Sequence, residues 1–402
     1  MTIYEVKSHT VTSSRRKQEK KMTSDEELGP LVRLWGIRLD QLPPTTAKAD
    51  ELAPFLGSIL REAIRLLDSA VPRASTPGPQ DAKATAWKSK GRRRPAGSRA
   101  EVELLERTFS AAELARVSSS SSSSSSLVVG HRPTERIRAE TWIGRRSVHD
   151  DGDDGDGGSR DEAAGGLASW AEFRDGLKDR HAEAEATFTP SIAAHRRAAA
   201  WDCGGVEVEV AAGGAAGEEA TTTTWGDFTL AVEEARHRIG RPLLRDRVFA
   251  VLQLTSAVVA APAGGGDEFV VVSIPIVDEA EGEREAGTVT GKGNGKGKEK
   301  EAGAEAEAEA EVARKLLPVL ELARDGGVVV GAYVSVERVR RLGAGEAEAE
   351  AGKIEWVMAT ASDARGVLPA RVQAMAVPSQ IVKDVPWFLA WAAQQRPAPE
   401  AV

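Results

Sequence analysis

The stretch from Lys353 to Gln395 constrains the fold more than any other part of the chain. It opens on KIEWVMATASD, in which Ile354, Trp356, Met358 and Thr360 share one face of a strand, as a two-residue period requires. A short turn follows at Ala364-Arg365-Gly366. The segment after it, VLPARVQAMAVPSQIVKDVPWFLAWAAQQ, spaces Leu368, Val372, Met375, Val382, Val385 and Leu389 so that they fall on one stripe of a helix. Pro369 suits the first helical turn, where its missing N–H is no loss. Pro378 and Pro386 each remove an internal hydrogen bond and are expected to kink or break the helix. The unit is a strand, a tight turn and a bent C-terminal helix that has to lie across a sheet.

A chain of 402 residues has room for two or three domains, but glycine (39 residues), a serine run and Ala-Glu tracts occupy much of it. Setting those aside leaves about 250 residues with a periodic apolar pattern, enough for one good core. A net charge of −8 argues against nucleic acid as a partner, because that affinity comes from neutralising phosphates. Cys203 stands alone, so the chain holds neither an internal disulfide nor a cysteine-based zinc site. A reducing, intracellular setting is the simpler reading, and cytoplasm the expected compartment; the weak basic runs RRKQEKK (15–21) and GRRRP (91–95) leave the nucleus open. The most apolar stretch, Val248 to Ala263, is interrupted by Gln253, Thr255, Ser256 and Pro262 and falls short of the about 20 residues a membrane span needs. The expectation is a protein without a transmembrane segment, with room for transient membrane contact.

Taken in order, residues 1–47 read as a mostly disordered segment in which Met22 offers a second start. Residues 48–70 form an amphipathic helix, with Leu52, Phe55, Leu56, Ile59, Leu60, Ile64 and Leu67 at helical spacing and Pro72 to stop it. Residues 71–99 look like a flexible basic linker, and 396–402 like a tail. Between them lie strands at 101–109, 136–149, 204–210, 225–236, 247–259, 268–277 and 328–342. Short helices start at Ser110 and at Ser169, where Ser169 and Glu172 have the spacing of a capping box. Low-complexity inserts sit at 118–126, 150–165, 211–224, 279–327 and 343–352. Strands in runs, with helices at the start, middle and end, indicate an α+β fold on an antiparallel sheet.

Several stretches carry a family resemblance: TWIGRRSVH, GLASWAEFRDGLKDRHAEAEATFTP, RPLLRDRVFAVL, GAYVSVERVRRL, IEWVMATASDARGVLPARVQAMAVP and IVKDVPWFL. Together they resemble a fungal START-like family, the domain of unknown function 3074, over about 48–70 and 100–395. The junction at Gly366, Leu368 and Pro369 resembles START domains at large. The resemblance implies a helix-grip (Bet v1-like) fold over 100–395: a curved antiparallel sheet wrapped around the long C-terminal helix, with an apolar cavity between them. Suitable cavity walls are Phe228, Leu230, Phe249, Val251, Tyr333, Trp356, Met358, Val372, Met375 and Val382; ordinary core packing is the competing reading for each. Burying a 16-carbon chain there would contribute on the order of 12 kcal/mol, at about 0.8 per CH₂. Such a ligand needs shape and a polar anchor, not a catalytic group.

Chemistry is hard to find. The six histidines form no HExxH or HxH pair, no GxSxG elbow occurs, and GKGNGKGK (291–298) lacks P-loop spacing. DDGDDGDGG (150–158) fails the calcium-loop pattern, because Gly155 and Asp156 stand the wrong way round. No catalytic residue, metal or cofactor is expected. The most chemical cluster lies on one strand, where Trp142 and Arg146 share a face and Arg145 and His149 share the other. Arg145, facing a cavity, would bind a phosphate or carboxylate head group; Arg247 and Glu337 are further anchor candidates, and outward-facing or cross-strand ion pairs are the alternative. The leading expectation is non-enzymatic binding of a lipid or other hydrophobic small molecule, with transfer an open extension. A protein-interaction module with a filled core and a polyketide cyclase- or hydrolase-type enzyme are the alternatives; oligomeric state is left open.

Overall fold

The computed structural model describes residues 29–72, 86–120, 137–152, 166–211, 222–239, 244–261, 267–277, 320–324, 327–343, 350–366 and 370–397. Most of the low-complexity inserts and the acidic run beyond Gly152 lie outside the described residues.

Helix α1 (Ala49–Ala70) carries an unbroken apolar stripe, Leu52, Phe55, Leu56, Ile59, Leu60, Ala63, Ile64 and Leu67, all buried. The strands are β1 (Ile37–Arg38), β2 (Lys88–Arg93), β3 (Val102–Phe109), β4 (Glu140–His149), β5 (Ile192–Trp201), β6 (Val208–Ala211), β7 (Thr222–His237), β8 (Arg247–Ala260), β9 (Glu268–Val277), β10 (Val329–Val330), β11 (Ala332–Arg341) and β12 (Ile354–Asp363). The main path of the sheet runs β2-β3-β4-β12-β11-β9-β8-β7-β5, antiparallel at every step. Short β1 and β10 add parallel pairs to β9 and β8. The insert before β10 does not disturb β11, which pairs on both sides, with β9 and β12. Helix α2 (Ala111–Ser120) follows β3; α3 (Trp170–Arg174), a π-helical turn and α4 (His181–Phe188) join β4 to β5; and α5 (Ala370–Gln395) ends the described chain.

The period of two sorts each strand between two different layers. On one face, α1 packs with Val270, Val272, Ile274, Val334, Val336, Val357 and Ala359 in a continuous apolar core. On the other, α5 brings Ile381, Val382, Val385, Phe388 and Leu389 against Phe173, Leu177, Phe269, Val271, Val339, Ile354 and Trp356. The capping box forms as the spacing predicts: Glu172 N donates to Ser169 Oγ, and Ser169 N donates to Glu172 Oε2 at 2.8 Å.

Three expectations are corrected, and one strand that the sequence did not announce is added. Residues 88–93, placed in a linker, form the exposed edge strand β2 paired to β3. IAAHRRAAAW, whose alanines and arginines give no apolar alternation, forms edge strand β5. Helix α1, assigned to a separate segment, is one wall of the core. Pro378 and Pro386 do not break α5, which runs from Ala370 to Gln395; burial of Ile381, Val385, Phe388 and Leu389 on both sides of Pro386 outweighs the lost hydrogen bonds.

Candidate functional site

The α5-facing side of the sheet carries a polar band across its central strands. Across it, Thr360 pairs with Ser335, Ser335 with Ser273, and Ser273 with Gln253, all buried. The adjacent row carries Arg145, Met358, Glu337, Val271 and Thr255 from β4, β12, β11, β9 and β8. Small hydroxyls and charges thus stand where a filled core would place branched aliphatics.

Arg145 is the centre of this arrangement, with 0 % of its surface exposed. Its guanidinium carbon lies 3.8 Å from the centroid of the Trp356 ring, and its Nη2 stands 3.9 Å from Glu337 Oε2. Its Nε and Nη1 have no hydrogen-bond partner among the described residues. Glu337 is itself engaged, accepting from Trp356 Nε1 at 2.9 Å. Burial pushes the arginine below its ordinary pKa, opposed by the Glu337 and Asp384 carboxylates.

Three helical groups face the same charges. Asp384 of α5 is pushed up to about 7 by burial; Arg145 pulls it down, while Glu185 and Glu337 raise it. Glu185 of α4 is raised by burial and by Glu337, with His181 and His195 opposing. His181, on α4, donates from Nδ1 to Leu177 O at 2.9 Å and lies 3.8 Å from Glu185. Tyr333 hydrogen-bonds Ser273 and is raised by burial and by Glu185. Beyond it, Phe249 meets Tyr333 at 5.5 Å and His237 at 5.3 Å, both edge to face. At the opposite end Trp356 meets Phe388 at 5.4 Å and Phe173 at 5.9 Å. His149 bonds Ser147 at 2.9 Å and is lowered to about 3 by burial and then by Arg145, so it is neutral.

Of the residues proposed from sequence, Arg145, Tyr333, Trp356 and Met358 gather here, and Val382 packs beside them. Phe249 and Val251 occupy the same face of β8. Phe228 and Leu230 do not join them: both belong to the core under α1, because Leu230 and Val232 alternate with Ala231 and Glu233 on the other face. The side chains of Val372 and Met375 lie outside the described residues. Glu337 reaches the site, whereas Arg247 is taken up by the carbonyls of Ala364, at 3.3 Å, and Arg245. Cys203 is buried with its thiol pushed up to about 11, which leaves it unreactive.

Sequence reasoning missed Asp384 and Glu185, and a signal existed for both. Asp384 stands within the stripe Ile381, Val385, Phe388, and Glu185 within Leu177, His181, Ala184, Phe188. A carboxylate at a core position of an amphipathic helix is a polar intrusion that needs a partner.

No group of histidine, cysteine or carboxylate side chains suited to a metal ion occurs among the described residues. No described helix is long and apolar enough to cross a membrane.

The model of the family described as protein of unknown function (DUF3074) matches residues 142–392. No curated protein matches the chain. Solved structures similar to it include human STARD10, at 8 % identity, TM-score 0.34, with 78 % of this chain and 76 % of that chain covered. Human StAR-related lipid transfer protein 5 is similar at 12 % identity and TM-score 0.31, with 79 % of this chain and 89 % of that chain covered.

Proposed function

The chain belongs to the DUF3074 family, and from that premise we propose that it is a non-enzymatic binding protein, holding a lipid or other hydrophobic small molecule between its sheet and α5 in a helix-grip arrangement. The observation that carries this reading is Arg145: a fully buried guanidinium with Nε and Nη1 unpartnered among the described residues, set among aromatic, aliphatic and small hydroxyl groups with Glu337 at 3.9 Å. A buried donor left unmade costs about 1–3 kcal/mol; a ligand acceptor removes that cost. In this reading Trp356, Met358, Tyr333 and Phe249 take the apolar body, Arg145 takes the polar end, and α5 covers both.

The test is native mass spectrometry of the full chain purified from cells, run beside lipid extraction. The expected result is a stoichiometric adduct that Arg145→Met loses or weakens by roughly tenfold or more, the scale of one charge-assisted hydrogen bond. A bare mass that stays unchanged after incubation with a broad lipid mixture sinks the reading and favours an interaction module with a filled core.

A further inference from the structure

The α5-facing site sets one buried cation, with two donors left unpartnered, beside several carboxyls, and that imbalance specifies more than apolarity does. We propose that the site captures an amphiphile with a single oxyanion head, a carboxylate or a phosphate monoester, and that capture takes up one proton at Asp384. The proposal rests on the binding role above and adds the head-group chemistry and its coupling to protons.

The geometry supplies both halves. The Arg145 donors at Nε and Nη1 demand an acceptor, and the face of the guanidinium is closed by Trp356 at 3.8 Å, so an acceptor has to approach in the plane. Glu337 does not fill that role in the fold: its approach to Nη2 is 3.9 Å, beyond hydrogen-bond reach, and one of its oxygens accepts from Trp356 Nε1. An incoming oxyanion would therefore complete the hydrogen bonding of the arginine.

The same oxyanion would meet carboxyls from three elements: Glu337 on β11, Glu185 on α4 and Asp384 on α5. Glu185 also feels His181 on its own helix and His195 of β5, while His195 is itself bound to Glu233 of β7 at 2.8 Å and Arg197 binds the other oxygen of Glu233 at 2.6 Å. From β4, His149 is neutral and Arg145 is the cation. Lys383, next to Asp384, is exposed on the outer side of α5. Three ionised carboxylates around one arginine would repel an anion; protonating one removes the repulsion and converts that carboxyl into a donor for the ligand's second oxygen. Asp384 is the group poised to do so, because burial and its two acidic neighbours already hold it near 7.

Calorimetry of the full chain in buffers of unequal ionisation enthalpy counts the protons. Four probes, each used below its micellar concentration, separate the possibilities: palmitate, palmitoyl lysophosphatidate, hexadecanesulfonate and hexadecanol. The sulfonate is ionised throughout the working range, so any proton it brings into the complex comes to the protein. Its binding should take up about half a proton at pH 7, rising toward one at pH 8, and weaken about fivefold between them. Asp384→Asn should bind it with no proton uptake and no such slope, while Glu185→Gln should retain the uptake. Comparing palmitate with lysophosphatidate tells whether carboxylate or phosphate is the preferred source of the oxyanion. Zero uptake by the unmodified chain, uptake that survives Asp384→Asn, or hexadecanol binding as tightly as the anions would each overturn the proposal while leaving the binding role intact. Failure of all four probes to bind would overturn the binding role itself.

Discussion

At the scale of single residues, the α5 face holds titratable groups with opposite linkage to folding. His149 is lowered to about 3, first by burial and then by Arg145. The unfolded chain therefore binds a proton below about pH 6.5 that the folded chain refuses, and stability is lost as pH falls through that window. Asp384 works the other way. Its carboxyl sits near 7, so the folded chain holds a proton that the unfolded chain releases above about pH 4, and stability is lost as pH rises toward 7. On going from pH 7 to pH 5 the unmodified chain should lose about 2 kcal/mol more than His149→Gln, set by the 1.4 kcal/mol per pH unit of a single linked proton. Urea midpoints at the two pH values check this; equal losses in both chains would mean that His149 is protonated in the fold. Strand parity made part of the site legible. Assigning Arg145 and His149 to one face and Trp142 and Arg146 to the other required only the two-residue period, and Arg146 does sit across the sheet, bonded to Glu355 at 2.6 Å. Parity could not say which face of β7 looks at α5, so Phe228 and Leu230 were placed on the wrong side.

At the scale of elements, α5 is positioned by the π-helical turn before α4. Gly176 sits in that turn, and a Cβ there would collide with the Trp391 ring and come within 2.9 Å of Phe388 Cε2. Gly176→Ala should therefore lift α5 from the sheet and cost about 1–3 kcal/mol, the range for overpacking. A thermal melt measures the loss, and adding Trp391→Leu should restore part of it; a Gly176→Ala chain as stable as the parent would place the ring contact elsewhere. The helix ends and the antiparallel pair β8-β9 were readable because apolar periodicity and turn residues agree there. Strands β2 and β5 were not readable. Both are edges: Lys88, Lys90, Arg92 and Arg93 on one, Arg196 and Arg197 on the other, and charged edges carry little apolar alternation to announce a strand. Continuity of α5 through two prolines was hidden for a related reason, since the burial that sustains it comes from other parts of the chain.

At the scale of the molecule, the sheet is covered on both sides and neither cover is optional. Helix α1 closes the face built from Val270, Val272, Val334, Val336, Val357 and Ala359, and β3 satisfies the free edge of β4. The region matched by the family model begins at Trp142 and so lacks both. A fragment spanning 142–392 should be insoluble or show no cooperative melt, whereas the full chain should melt cooperatively with near-UV signal from its buried tryptophans. A soluble, cooperatively melting fragment would show that the α1 face tolerates exposure. Buried ion pairs on the α1 side add to the demand for a complete molecule. Glu355 receives Arg146 and Arg340, each at 2.6 Å, and Arg338 reaches both Glu355, at 3.9 Å, and Asp68 of α1. Removing one member of such a buried network typically costs 3–5 kcal/mol.

The pairing of β4 with β12 bears on how the molecule is made. Arg146 and Glu355, which bond across that seam, are 209 positions apart. A ribosome adding about 5–20 residues per second needs on the order of 10–40 s to cover that distance. Until β12 is made, β4 has no partner on the flank away from β3. Late closure of this kind belongs to slow-folding topologies, and the charges along the waiting segment, Arg145, Arg146 and Glu140, act against pairing with the wrong neighbour while the rest of the chain emerges.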